Sequence, residues 1–177
     1  PMYMAAKYGP LMANRMTLGK WVEVYHGDLG MYLGDTYGTK NFLDSFDLFY
    51  AKLYDGIRED SAEDTKKYVD TIIDHYKHLR IDPSTKTICH SNGISSIGQL
   101  RTLAEYRKGE IRRTFGVGTW LTNDVYPENS DLKPVNWVIK MTHTYIHGEK
   151  RYTVKLSDVK GKVTSIDEKT TRNYIET

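Results

Sequence analysis

Four times between Gly30 and Trp120 a short apolar run ends in a polar or glycine-rich tip and gives way to a helical pattern. The first run and tip is DLGMYLGDTYG. After it, TKNFLDSFDLFYAKLY sets Phe42, Leu43, Phe46, Phe49, Tyr50 and Leu53 at helical spacing, which predicts a helix there. The second run ends in GIREDSAED. Its helix carries Val69, Ile72, Ile73, Tyr76 and Leu79 on one face, and Ser61, three residues before Asp64, reads as close to a capping box. IDPSTKTICHSNG is the third, with Asp82-Pro83 as helix stop and turn, and Ile97, Leu100, Leu103 and Ala104 mark its helix. GEIRRTFGVGTW is the fourth. Each tip lies about one βα unit from the last, so the chain is α/β, with a parallel sheet or part of a (β/α) barrel whose polar tips share one rim.

After Pro134 the rhythm changes. VNWVIKMTHTY and KRYTVKLSD, joined around His147-Gly148, predict an antiparallel strand pair. The expected organisation is therefore a partial barrel over 1–133, carrying the tips, and a strand pair with a tail over 134–177. The latter would pack on the barrel or on an amino-terminal domain outside this sequence. The chain begins PMYMAAKYGP, without an initiator methionine and already in an apolar pattern, and reads as the interior of something longer.

Charge and composition remove several function classes. The 25 basic and 23 acidic residues leave a net charge of +2 with no long basic run, so no nucleic-acid footprint is expected. No apolar stretch approaches the roughly 20 residues of a membrane helix. The single cysteine, Cys89, sits in the apolar run TKTIC and reads as a small buried residue in a reducing, cytoplasmic setting. None of His75, His78, His143 and His147 has metal-ligand spacing, and no residue is assigned as a metal ligand. His26 precedes a strand and His90 lies inside one, where a satisfied structural histidine is the expectation.

The tips carry the chemistry. Gly116-Val117-Gly118-Thr119 ends a strand in the kind of loop whose bare amides approach a phosphate, although a glycine pair serving a tight turn fits equally. Asp35-Thr36 and Arg58, Asp60 and Ser61 add carboxylates, hydroxyls and a guanidinium to the same rim. Arg suits bidentate capture of phosphate or carboxylate, and Asp can orient sugar hydroxyls or a Mg²⁺-bound water. Each pair alone is as well explained by a helix cap or a solvated ion pair; four polar tips in phase favour a site.

These segments, in this order and spacing, resemble the carboxyl-terminal half of nicotinate phosphoribosyltransferases, up to about Lys162. LGDTYG matches a TDTY-type tip, GIREDSAED a GxRxDSGDP-type tip, HSNG an FSDG-type tip, and GVGTWLTND the pattern GIGTxLTND; PVNWVIKM and VKLSDVKGK follow in place. The resemblance implies a type II phosphoribosyltransferase: an irregular (β/α) barrel joined to a sheet-rich domain, usually dimeric. It implies transfer of a phosphoribosyl group from phosphoribosyl pyrophosphate to nicotinate, with Mg²⁺ and ATP as cofactors and no covalent protein nucleophile. By that resemblance Arg58 faces the nicotinate carboxylate or a phosphate, and Asp60 and Asp35 lie near ribose or metal. Ser61, Ser91, Asn92, Gly93, Gly116, Gly118 and Thr119 bind substrate, the glycines and Thr119 around the 5′-phosphate. The expected association is a homodimer or a missing amino-terminal portion.

The departures are specific. Glu59 stands where members commonly have His or Gln, Ala62 replaces the Gly of DSGDP, Asp64 its Pro, and Asn92 the Asp of FSDG. On sequence grounds Glu59 puts negative charge beside anion sites, and the Cβ of Ala62 crowds a loop that approaches substrate. KYGP runs directly into LMANRM, where the family pattern inserts a GTxxHEW-type segment bearing the histidine that ATP phosphorylates. A diverged or noncatalytic homologue that binds the same ligands, or one that uses nicotinamide, is the competing expectation.

Overall fold

The computed structural model describes residues 1–122, 130–132, 138–159 and 163–176. Helices α1 (Met2–Tyr8) and α2 (Pro10–Tyr25) meet at Gly9, whose φ of 88° turns the chain between them. Strands β1 (Met31–Leu33), β2 (Gly56–Glu59), β3 (Thr87–His90) and β4 (Arg112–Phe115) form one parallel sheet in the order β1-β2-β3-β4. Neighbours in sequence are thus neighbours in space, with no reversal of strand order among the described strands. Among the described residues the sheet is open, with β1 and β4 at its edges.

Strand alternation separates two faces. Tyr32, Ile57 and Ile88 turn to the helices and join Phe42, Phe46, Tyr54, Val69, Ile72 and Tyr76 in the main core. Leu33, Arg58, Cys89 and Thr114 form a cross-strand row on the other face. Cys89 is accordingly half-buried rather than buried, because its row faces away from the helices. A buried polar chain ties the first helices to the sheet: Tyr32 donates to Asn14 Oδ1 at 2.9 Å, and Asn14 donates to Asn41 at 2.6 Å.

Two local expectations are corrected. The segment 39–54 is not one helix but two, α3 (Thr39–Ser45) and α4 (Leu48–Leu53). Asp47 breaks it, because its carboxylate accepts from the amides of Phe49 and Tyr50 and starts a new helix there. Phe49 is consequently 59% exposed instead of core-facing. The second correction is at α5 (Thr65–His78), whose cap is Asp64, accepting from the amides of Lys66 and Lys67. Ser61 is left free for another task.

α6 (Ile97–Glu105) follows β3, and α7 (Thr119–Thr122) follows β4. Arg107, just after α6, binds Asp70 of α5 at 2.7 Å and Glu110 at 2.8 Å, fastening that connection to α5. The Arg107 guanidinium, aided by Lys77, pulls the Glu110 carboxyl from 4.5 to about 2, and Arg107 with Tyr106 also lowers Asp70. A lowered carboxyl stabilises the fold above its unfolded pKa and loses that contribution as pH falls toward the folded value. Arg107→Gln is therefore expected to flatten the fall in melting temperature between pH 4.5 and about 2. An unchanged pH profile would remove the network from the stability account.

The antiparallel pair is present but shorter than expected. β5 (His143–Ile146) and β6 (Glu149–Tyr152) join through His147 and Gly148, with φ of 51° and 85°, as a two-residue turn with both central residues left-handed requires. The strand predicted from 135 begins only at His143, and 133–137 lie outside the described residues. The second strand ends early because residues 154–156, beyond the last cross-hairpin bond of the Thr153 amide to Thr142 O, turn to the first tip: Leu156 donates to Thr36 O and Tyr37 donates to Val154 O. α8 (Glu168–Ile175) follows.

Candidate active site

The strand-to-helix connections at the carboxyl ends of β1 to β4 are joined to one another by hydrogen bonds. Ser61 donates to Asp35 Oδ2 at 2.7 Å, linking the first tip to the second. Arg58 Nε donates to Ser91 Oγ at 2.8 Å, Ser91 Oγ donates to the carbonyl of Glu59 at 2.7 Å, and Asn92 Nδ2 donates to the carbonyl of Ala62 at 2.9 Å; these link the second to the third. The Gly116 amide donates to His90 O at 2.7 Å, linking third to fourth. An aspartate at position 92 could not make the Asn92 bond while ionised, since a carboxylate has no N–H to donate.

Beside these tips opens a cleft of about 830 Å³, the size of a small-ligand site. Of the predicted rim, Asp60, Ser91, Asn92, Gly93, Gly116, Gly118 and Thr119 all line it. Arg58 stands beside it, reaching Asp60 Oδ1 at 3.3 Å. Asp35 and Ser61 lie beneath, both buried. Asn123 and Asp124 of the predicted GVGTWLTND tip lie outside the described residues.

Two lysines missing from the sequence reading complete the cleft. Lys140 lines it, and Lys155 sits between the two aspartates: its Nζ is 2.8 Å from Asp35 Oδ2 and 4.0 Å from Asp60 Oδ2. Lys155 and Asp35 side chains are only 12% and 5% exposed. The available signal was a lone cation inside the apolar run TVKLS, but nothing local to that run places it opposite residue 35. Asp35 Oδ1 is buried and takes no hydrogen bond among the described residues. Burying a carboxylate oxygen without a partner is costly, and such a group marks a place meant for a donor or cation.

Two feared disturbances lie elsewhere. Glu59 points to the helix side of β2, away from the cleft, where it meets His90. Ala62 packs against the main core, so its Cβ does not enter the cleft. The glycines differ among themselves. A Cβ on Gly116 would come within 3.1 Å of Ser91 Cβ, whereas one on Gly118 would meet no atom of the described residues within 4 Å.

Two lysines, an arginine and a set of glycine-rich backbone turns around one cleft suit a polyanion, and two carboxylates at its floor suit hydroxyls or a developing positive charge. Asp60 is the more accessible of the two carboxylates, and Asp35 Oδ1 is the inner oxygen that takes no hydrogen bond among the described residues.

Residues 6–177 match the family described as "Nicotinate phosphoribosyltransferase (NAPRTase) family". The chain is 42% identical over 164 residues to a nicotinate phosphoribosyltransferase of Chromohalobacter salexigens, covering 92% of this chain and 40% of that protein. It is 41% identical over 169 residues to that of Desulforapulum autotrophicum, covering 94% and 42%. It superposes on the crystal structure of nicotinate phosphoribosyltransferase from Porphyromonas gingivalis with a TM-score of 0.89 and 33% identity, over 99% of this chain and 44% of that one. The chain thus spans about two fifths of the length of the curated relatives it matches. On family match, sequence identity and superposition together, this chain belongs to the nicotinate phosphoribosyltransferase family.

Proposed function

We propose that this chain forms the phosphoribosyl-binding part of a longer polypeptide that makes nicotinate mononucleotide from nicotinate and phosphoribosyl pyrophosphate in the cytoplasm. The observation that carries the reading is the convergence of Lys140, Lys155, Asp60 and the glycine tips on one cleft in a member of this family. In the reaction the bond from the anomeric carbon to the pyrophosphate oxygen breaks and a bond from the nicotinate ring nitrogen forms. The bonding pair leaves with pyrophosphate, and no proton need move.

The chain's own groups supply electrostatics and position. Lys140 and Lys155 offset the charge gathering on pyrophosphate, and the backbone turns at Gly93 and Gly116–Thr119 hold the 5′-phosphate. Asp60, with Asp35 behind it, faces the sugar as it acquires cationic character. Arg58, fixed by Ser91 and Asp60, offers its remaining N–H groups to the nicotinate carboxylate or a phosphate. Mg²⁺, when bound, neutralises the diphosphate and would rest on Asp60. ATP hydrolysis would drive the transfer toward product. Closure of the open sheet into a barrel, and the cover over exposed Val138 and Ile139, would come from the rest of the polypeptide or a partner subunit.

The test is product formation by the full-length polypeptide, with and without ATP. Nicotinate mononucleotide and pyrophosphate in equal amounts are expected. Gly118→Val should fill the phosphate end and lower affinity for phosphoribosyl pyrophosphate about 10- to 100-fold with little change in melting temperature, since its Cβ meets no atom of the described residues within 4 Å. Binding without product would instead identify a noncatalytic homologue.

A further inference from the structure

Each cleft-lining tip is preceded by a residue on the opposite face of the sheet. Glu59 precedes Asp60, His90 precedes Ser91, and Phe115 precedes Gly116, and these three share one cross-strand row. Glu59 is 2% exposed and His90 is fully buried. His90 Nδ1 lies 2.7 Å from Glu59 Oε2, and His90 Nε2 lies 2.7 Å from Nη1 of Arg113 on β4. A guanidinium can only donate, so Nε2 accepts and the imidazole proton sits on Nδ1, donated to Glu59. One line of hydrogen bonds thereby crosses β4, β3 and β2 through a neutral imidazole. Its ends are held by neighbours: Arg113 Nη2 donates to Tyr106 O at 2.9 Å, and Thr65 donates to Glu59 Oε1 at 3.3 Å.

Such a line is a poor route to stability alone. A buried carboxylate and a half-buried guanidinium both incur desolvation costs, which apolar side chains of similar size would avoid. What directed hydrogen bonds add over apolar contact is a unique geometry. Here the geometry concerns the relative heights of three strands whose next residues form the mouth of the cleft. Glu59, a departure from the family pattern, makes this contact with His90.

We propose that Glu59, His90 and Arg113 are positioning residues for the phosphate-binding mouth, setting the spacing of Asp60, Ser91-Asn92 and Gly116. The proposal rests on the reading of the cleft as a phosphoribosyl pyrophosphate site.

The experiment compares variants of the full-length polypeptide by calorimetric binding of phosphoribosyl pyrophosphate and by KM for each substrate. Glu59→Leu and, at the half-buried end of the line, Arg113→Met are expected to weaken phosphoribosyl pyrophosphate binding about tenfold, with KM for nicotinate little changed. Glu59→Gln keeps an acceptor for His90 Nδ1–H and should restore most of that affinity. Ile72→Ala, in the α5 core away from the tips, serves as the control for lost stability. Equal weakening by Ile72→Ala, or unchanged affinity in both Glu59→Leu and Arg113→Met, overturns the positioning role. Wild-type protein that binds but forms no nucleotide overturns the enzymatic reading while the affinity comparison still decides the line. Wild-type protein that does not bind overturns both.

Discussion

Lys155→Met is expected to cost the protein about 3–5 kcal/mol, because it strands the Asp35 carboxylate in a buried position with Ser61 as its remaining side-chain partner among the described residues. The same change removes a cation from the cleft, so affinity for pyrophosphate or phosphoribosyl pyrophosphate falls with it. The two losses are separable. Adding Asp35→Asn to Lys155→Met removes the stranded charge and should return most of the stability, while the affinity stays lost. Urea denaturation and calorimetric titration of the full-length single and double variants measure both quantities. A double variant no more stable than Lys155→Met would mean that the pair is not energetically coupled, contrary to the 2.8 Å contact.

The second large effect belongs to Gly56, where β2 enters the sheet. A Cβ there would lie 2.0 Å from the carbonyl oxygen of Thr87 and 2.8 Å from its carbon, both main-chain atoms of β3 in register with Gly56. Main chain cannot rotate aside as a side-chain end can, so Gly56→Ala must spread β2 from β3. Overpacking of this kind costs roughly 3 kcal/mol or more. The cleft should open with it, since Arg58–Ser91 and Asn92–Ala62 bridge the same two strands further along. Gly98→Ala, on α6, is the contrasting case: among the described residues its Cβ would meet only Ser96 Oγ at 4.0 Å, and a gain of about 0.5–1 kcal/mol is expected from helix propensity. If the two substitutions prove equally mild, close packing at the β2–β3 crossing is not what holds that register.

What could be read from sequence was what depends on neighbours along the chain. Apolar runs ending in Asp35, Arg58, Ser91 and Gly116 located four strands and their tips because a parallel strand is buried on its helix side and leaves its polar residues at the end. The break at Asp47 was also local, yet the apolar spacing of Phe46, Phe49 and Tyr50 concealed a capping residue in mid-pattern. Ser61 was misread for the opposite reason. Its spacing from Asp64 mimics a cap, while its hydrogen bond goes to Asp35, 26 residues earlier. Lys155 was beyond local reading altogether, because a cation in a strand declares no partner until the fold brings one.

The return of the chain's last third to its first tip carries a consequence in time. Lys155 meets Asp35 across 120 residues, Thr39 meets Asp158 across 119, and Tyr37 meets Val154 across 117. At about 5–20 residues per second of synthesis, some 6–24 seconds separate the emergence of Asp35 from that of its counter-ion. During that interval the growing chain can pair β1 to β4 and bury its aromatic core while the floor of the cleft holds a lone acid. A polypeptide halted by a premature stop before residue 155 would therefore carry the sheet without its cation, and the pocket is complete only well after the strands whose tips surround it.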